Sequence, residues 1–329
     1  MPAQTSSEQA PVTQARPRPL YWLIALPVAA LALYFALRGV DWSRVWQVAS
    51  SASLPLLVLA LAITTASYLV RAVRWRILLR ARGEITFGTV FWSNSSGYLA
   101  NNFLPARTGE LLRSAMISAR SALSKTYVLT TALSERMLDA LALIAISAAV
   151  LLTIAYKPAW MGAAARPFAV IAIVGAIGLA VLPRVKNRIE AVIRRLPLPK
   201  KFRERLIGMT EQVLLGIRTF HDPGRLAGFC SLTALIWFLD AAATVVLARA
   251  LALDIGFAIA FLVLTGIGLS SALPSTPGNV GVYQFVTVSV VVPFGIAQSD
   301  ALAFALISQA GNYLVVAFWG LIAIWRYST

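Results

Sequence analysis

Six runs of about twenty mostly apolar residues constrain this chain more than any other feature, because each is long enough to cross a ~30 Å hydrocarbon core as a helix. They cover residues 20–37, 54–73, 128–156, 167–183, 226–248 and 301–325. Only 13% of the 329 residues are charged, against about a quarter in a soluble domain. The expected fold is an all-α polytopic membrane protein with one transmembrane domain over residues 20–329. Residues 1–19 are polar and Pro-containing and are expected to be a disordered cytoplasmic tail. Arg16 and Arg18 precede the first run in the manner of a signal sequence. That run is long for a signal core and no small-x-small site follows it, so it reads as an uncleaved span.

Two weaker apolar stretches, 87–124 and 256–294, are broken by Pro and Gly near residues 105–109 and 274–278. Interrupted membrane segments are the usual pointer to a transporter's binding site. The two breaks match at a fixed offset of 169 residues. Gly97, Asn101, Asn102, Leu104, Pro105, Gly109 and Glu110 fall on Gly266, Ser270, Ser271, Leu273, Pro274, Gly278 and Asn279. The same offset lays the span ending at Tyr156 onto the one ending at Trp325, and the second span onto 226–248. Two repeats are therefore expected, at about 54–156 and 226–325.

Charge suggests their orientation. Arg71, Arg74, Arg76, Arg80 and Arg82 follow the second span, and Arg113, Arg120 and Lys125 follow the first break. Segment 184–225 carries eleven Lys/Arg against four acids, whereas loops 39–53, 157–166, 249–256 and 297–300 are poor in cations. Basic loops stay cytoplasmic. If each broken stretch enters and leaves on one side, all basic loops and both termini lie inside, and the repeats have inverted topology. That layout has about six full spans plus two re-entrant hairpins; two complete crossings per break are an open alternative. Segment 184–225 mixes Arg/Lys with Ile189, Val192, Ile193 and Leu196 at helical spacing, as expected of amphipathic helices on an anionic leaflet.

The breaks supply the candidate substrate-binding residues. In the first, Asn101, Asn102, Arg107, Glu110 and Arg113 surround a helix start at Gly109, whose free N–H groups and dipole favour an anion such as phosphate. Glu110 and Arg113, three residues apart, are alternatively a simple pair. The second break has no charge, so Asn279, Tyr283 and Gln284 would act through amide, hydroxyl and backbone groups. Pro105, Gly109, Pro274, Pro277, Gly278 and Gly281 are the expected hinges. Glu135 and Asp139 share a helix face and Arg136 lies about 100° away. Acids within a span face a cavity or a partner, so this trio is read as a proton relay, a substrate contact or a structural ion network. Asp240, deep in its span, has Arg71 as its counterpart at the 169-residue offset, and a mutual pair would explain how both persist in hydrocarbon. Ser308, Gln309 and Asn312 form a stripe of the kind that glues helices together.

One cysteine, Cys230, and one histidine, His221, leave no thiol or imidazole cluster for zinc. No phosphate-binding loop, nucleophile elbow, zinc-protease or dinucleotide motif is present, so no cofactor, metal or direct ATP use is expected. The net charge of +16 fits cytoplasmic loops better than nucleic-acid binding.

At three places the sequence resembles the lysylphosphatidylglycerol synthase transmembrane family, also described as flippase-like: N-N-F-L-P-A-R-T-G-E at 101–110, E-R-M-L-D at 135–139 and L-P-S-T-P-G-N-V-G-V-Y at 273–283. The resemblance implies a stand-alone member without the family's soluble aminoacyl-transferase domain, acting on lipid in a bacterial cytoplasmic membrane. The leading expectation is a flippase for a phospholipid or lipid-linked envelope precursor, with membrane lipids and lipid-synthesis enzymes as partners. Two rivals are a membrane-embedded transferase using Glu135 or Asp139 as base, and a non-transporting accessory subunit of an envelope-lipid pathway.

Overall fold

The computed structural model describes residues 19–104, 108–155, 157–181, 186–196, 199–200, 202–204, 206–208, 222–271 and 276–328. Among these there are α-helices and short 3₁₀ turns but no strand. In chain order the helices are α1 (Pro19–Leu37), α2 (Trp42–Ser50), α3 (Leu54–Leu79), α4 (Phe87–Phe103), α5 (Gly109–Ala119), α6 (Lys125–Thr153), α7 (Ala159–Val181) and α8 (Lys186–Arg195), then α9 (Pro223–Ala250), α10 (Phe257–Ser270), α11 (Val282–Val291) and α12 (Gln298–Ser328).

The ends follow local chemistry. Asp41 accepts hydrogen bonds from the Ser43 and Arg44 amides and opens α2. Thr86 and Ser124 cap α4 and α6 through the amides of Thr89 and Tyr127. Asp222 with Pro223 opens α9. Such caps satisfy amides that a helix start leaves without partners.

Helices α3, α6, α7, α9 and α12 are long and apolar enough to cross a membrane, and α1 with α2 would make a sixth span but for an 84° bend. This is a multi-pass membrane protein. The helices flanking the breaks are shorter: α5 has 11 residues and α11 has 10, roughly 15–17 Å at 1.5 Å per residue, too short to cross a bilayer alone.

Three sequence expectations change. Helix α3 runs six residues beyond residue 73, so Arg74 and Arg76 are helical rather than loop residues. Helix α7 starts at Ala159 and carries Pro167 inside it, where 157–166 had read as a loop; a membrane helix absorbs a proline when neighbours satisfy the freed backbone group. Within 39–53, also read as a loop, lies α2, whose Val45 and Val48 are buried. Of segment 184–225, α8 and a few neighbours are described; residues 209–221, with His221, lie outside.

The 169-residue offset carries α3 onto α9, α4 onto α10, α5 onto α11 and α6 onto α12. Helices α3 and α9 pack against each other along their length and run antiparallel. The Ser53 amide donates to the Ala250 carbonyl (2.8 Å), Arg71 pairs with Asp240, Arg74 donates to Thr233 Oγ1 (2.9 Å), and Ile77 lies over Gly228. Equivalent contacts recur across this seam: α4 packs on α12, and α10 packs on α6. Two cores form, each drawn mainly from one half but completed by the other. Trp75, Leu78, Leu79, Val90, Ile117 and Val128 form the first, joined by Phe229. Leu247, Ala248, Val263, Val288, Leu302 and Phe304 form the second, joined by Ala60 and Leu151.

Candidate functional site

Eight charged side chains from α3, α5, α6 and α9 form an alternating ladder through the first half. Asp240 accepts from Arg71 at 2.5 Å, and Arg71 approaches Asp139 at 4.0 Å. Arg74 grips Asp139 (2.6 and 2.9 Å) and Glu135 (2.8 Å). Glu135 also accepts from both terminal nitrogens of Arg113 at 3.2 Å. Arg113 pairs with Glu110, which accepts from Arg136 at 3.0 Å. Four arginines face four carboxylates, so the set is neutral as a whole. Buried charge persists only when each partner is hydrogen-bonded.

Burial grades along the ladder. The Arg74, Glu135 and Arg113 side chains are at most 1% exposed, whereas Arg71 is 11%, Asp240 17% and Arg136 35% exposed. The middle is sealed and the ends are open. Aromatic rings cover the guanidiniums: Trp75 lies 4.3 Å from Arg113, Phe229 4.8 Å from Arg74 and Trp237 5.2 Å from Arg71.

The Asp240 end opens on a cavity of about 210 Å³ between α3, α9, α10, α11 and α12. Its polar lining is Thr64, Tyr68, Arg71, Asp240, Thr244, Tyr283, Ser308 and Asn312. Tyr68 donates to Asn312 Oδ1 (2.7 Å), and the Tyr283 and Ser308 hydroxyls lie 2.8 Å apart. The Tyr68 ring also lies tilted against Tyr98 at 5.1 Å, and Arg136 sits 5.8 Å from the Tyr98 ring, so an aromatic bridge leads from the cavity toward the ladder's other end.

The first hairpin, α4–α5, closes where two glycines meet. A Cβ on Gly109 would stand 2.0 Å from the Gly97 carbonyl oxygen. Asn101 Oδ1 accepts the Gly109 amide at 2.9 Å, so this helix start is capped from within the chain. Arg113 is committed too: its nitrogens bond Glu110, Glu135 and Asn94. The pair of Glu110 with Arg113 that the spacing left open is the observed arrangement. Asn102, at the end of α4, turns its carbonyl toward Gly278 of the other hairpin, and its Nδ2 is buried without a partner. Pro105, Arg107 and Pro274 lie outside the described residues.

The second hairpin, α10–α11, is held by neutral groups. Pro277, Gly278 and Asn279 form a 3₁₀ turn, with Gly278 at φ 70° and Asn279 at φ 58°. The Gly278 carbonyl accepts from Gln309 Nε2 (2.8 Å) and Tyr313 (2.7 Å). Gln284 accepts the Gly281 amide (2.7 Å) and donates to Gln309 (2.5 Å). Gly281, at φ 87°, leaves no room for a Cβ beside the Ala29 carbonyl.

Of the sequence candidates, Glu110, Arg113, Glu135, Arg136 and Asp139 converge on the ladder. Tyr283 reaches the cavity, whereas Gln284 and Asn279 stay at the second tip. Sequence reasoning missed Arg74, Tyr68, Asn94 and Tyr98. The available signal was Ser67, Arg71 and Arg74 recurring at helical spacing on an otherwise apolar stretch. Ser308 and Asn312 read only as helix glue, yet they line the cavity.

Residues 22–320 match the family described as lysylphosphatidylglycerol synthase TM region. The chain belongs to that family. One similar protein is the glycosyltransferase AglD of Haloferax volcanii, 26% identical over 325 residues. The match covers 88% of this chain and 50% of AglD, so the chain spans about half the length of this curated relative.

Proposed function

We propose that this family member is a lipid translocase, carrying a phospholipid or a lipid-linked envelope precursor across a bacterial cytoplasmic membrane. One observation carries the reading: a cavity with mixed apolar and polar walls and an ion pair in one of them lies at the seam where two antiparallel, sequence-related halves meet. A site built from both halves can open to either leaflet when one half rocks against the other. The short broken hairpins would enter the membrane from opposite sides and meet near its middle, where Asn102 and Gly278 face one another.

With Arg71, Arg74 and Arg113 committed to the ladder, orientation rests on Arg80, Arg82, Arg120, Lys125 and segment 184–225. These still favour cytoplasmic termini. Lipid-synthesis enzymes are the natural suppliers of cargo. Reconstitution in vesicles with fluorescent phospholipids and lipid-linked sugars, read by loss of accessible label, tests the proposal. Leaflet exchange no faster than in empty vesicles across the panel would sink it.

The name of AglD favours a second reading, a membrane-embedded transferase acting on a lipid carrier. Against a role for Glu135 or Asp139 as its base, both carboxylates are occupied by arginines. That reading requires a lipid product of altered mass when purified protein is incubated with lipid extract and a sugar donor. An accessory subunit would instead copurify with an enzyme and tolerate Glu110→Ala.

A further inference from the structure

Within the translocase reading, on which this inference rests, the cavity's ion pair has a use beyond holding α3 to α9. Arg71 and Asp240 are 11% and 17% exposed, against at most 1% in the sealed middle of the ladder, and both line the cavity. Each comes from the same position in its half, 169 residues apart. Arg71 has a single close carboxylate, since Asp139 stands off at 4.0 Å. Arg74, by contrast, is clamped between two. The pair at the cavity is thus the one link of the ladder that a ligand reaches and that has no second tight partner on either side.

The chemistry of such a pair selects its ligand. An anion that took Arg71 would leave Asp240 buried and uncompensated, and a cation that took Asp240 would leave Arg71 so; each orphaned charge is costly. A ligand carrying one negative and one positive group replaces both partners at once. The surrounding Tyr68, Tyr283, Ser308 and Asn312 offer hydrogen bonds but no further charge. We infer that the Arg71–Asp240 pair is the recognition site for a zwitterionic lipid headgroup, with its phosphate on Arg71 and its ammonium on Asp240.

The experiment uses purified full-length protein in detergent and native mass spectrometry with dihexanoyl phosphatidylethanolamine, the anionic dihexanoyl phosphatidylglycerol and a short-chain cationic lipid. The zwitterion is expected to bind roughly tenfold more tightly than either. Asp240→Asn, which frees Arg71, should reverse the order in favour of the anionic lipid, and Arg71→Gln should favour the cationic one. The double variant Arg71→Gln/Asp240→Asn keeps a neutral hydrogen-bonded pair where a single variant fails to fold, and it should bind all three lipids alike. Equal binding of the three by the unaltered protein, or a double variant that keeps the preference for the zwitterion, would overturn the inference. So would single variants whose preferences shift in the same direction. Lipid exchange in vesicles is read separately: a reversal of binding order without exchange retains this site and removes the translocase reading, while exchange with unchanged binding order removes only this site.

Discussion

The two hairpins share a backbone plan and solve its polar problem with opposite chemistry. In α4–α5 the residues are charged: Glu110 and Arg113 on the second arm lock onto Glu135 and Arg136 of α6. In α10–α11 the positions at the same offset are Asn279, Val282, Phe304 and Ala305, and the charged ladder is absent. There Gln284, Gln309 and Tyr313 satisfy the turn instead; their first-half counterparts are Ala115, Ala140 and Ile144. One fold thus tolerates either an ionic or an amide solution for most of its buried polar groups. The difference shows that the shared plan lies in the helix breaks, not in the polar residues or in what the glycines touch, since Gly97 meets Gly109 while Gly266 meets Val286 and Gly278 meets Tyr313.

The comparison can be broken most severely on the charged side. Glu135→Ala removes the carboxylate between Arg74 and Arg113, leaving each with one acidic partner and the buried set one positive charge in excess, a loss of about 3–5 kcal/mol. The expected outcome is little folded protein on size exclusion after detergent extraction. A yield near that of the unaltered protein would show that the ladder adds little to stability.

Glycine contacts come next. Gly109→Ala drives a methyl into the Gly97 carbonyl, a backbone atom with no rotamer to yield, and overpacking of this kind costs on the order of 1–3 kcal/mol or more. Gly278→Ala instead meets the Tyr313 hydroxyl in a strained φ. Adding Tyr313→Phe should restore part of the melting temperature at Gly278, whereas no side-chain truncation should rescue Gly109.

On the neutral side, Gln309→Leu strips the amide that joins Gln284 to the Gly278 carbonyl and is expected to cost about 1–3 kcal/mol. Its effect should stay below that of Glu135→Ala in the same thermal assay; a larger effect would reverse the ranking of the two hairpins. The smallest change is Tyr68→Phe, which loses one hydrogen bond to Asn312 across the seam, roughly 0.5–1.5 kcal/mol.

Much of this architecture is written in local pattern. The long apolar runs and the Pro/Gly breaks are readable from neighbouring residues and the 169-residue offset from laying one half on the other; together they located the long helices and both breaks. Arg71 with Asp240 was also legible, because the offset itself named the partner. Arg74 was not. Its partners Glu135 and Asp139 lie 61 and 65 residues away within the same repeat, where the 169-residue offset pairs nothing, and a hydropathy scan ends the helix where the arginines begin. Arg113 misled for a related reason: burial turned a residue that reads as a free phosphate ligand into a bridge between two acids. The cavity had no signature, since its lining is drawn from five helices.

The ladder also has a consequence for how the chain is made. Helix α3 brings Arg71 and Arg74 to the membrane before any of their acidic partners has been synthesised. Arg74 waits 61 residues for Glu135, and Arg71 waits 169 for Asp240. An arginine at the centre of a lone membrane helix raises its insertion free energy by about 2.5–3.5 kcal/mol. In α3 both arginines lie in the last third, so its apolar first two thirds can enter lipid alone, but its final seat is reached only after α9 has emerged. Assembly of the two halves is coupled to the order of translation, with the late aspartate completing what the early arginines began.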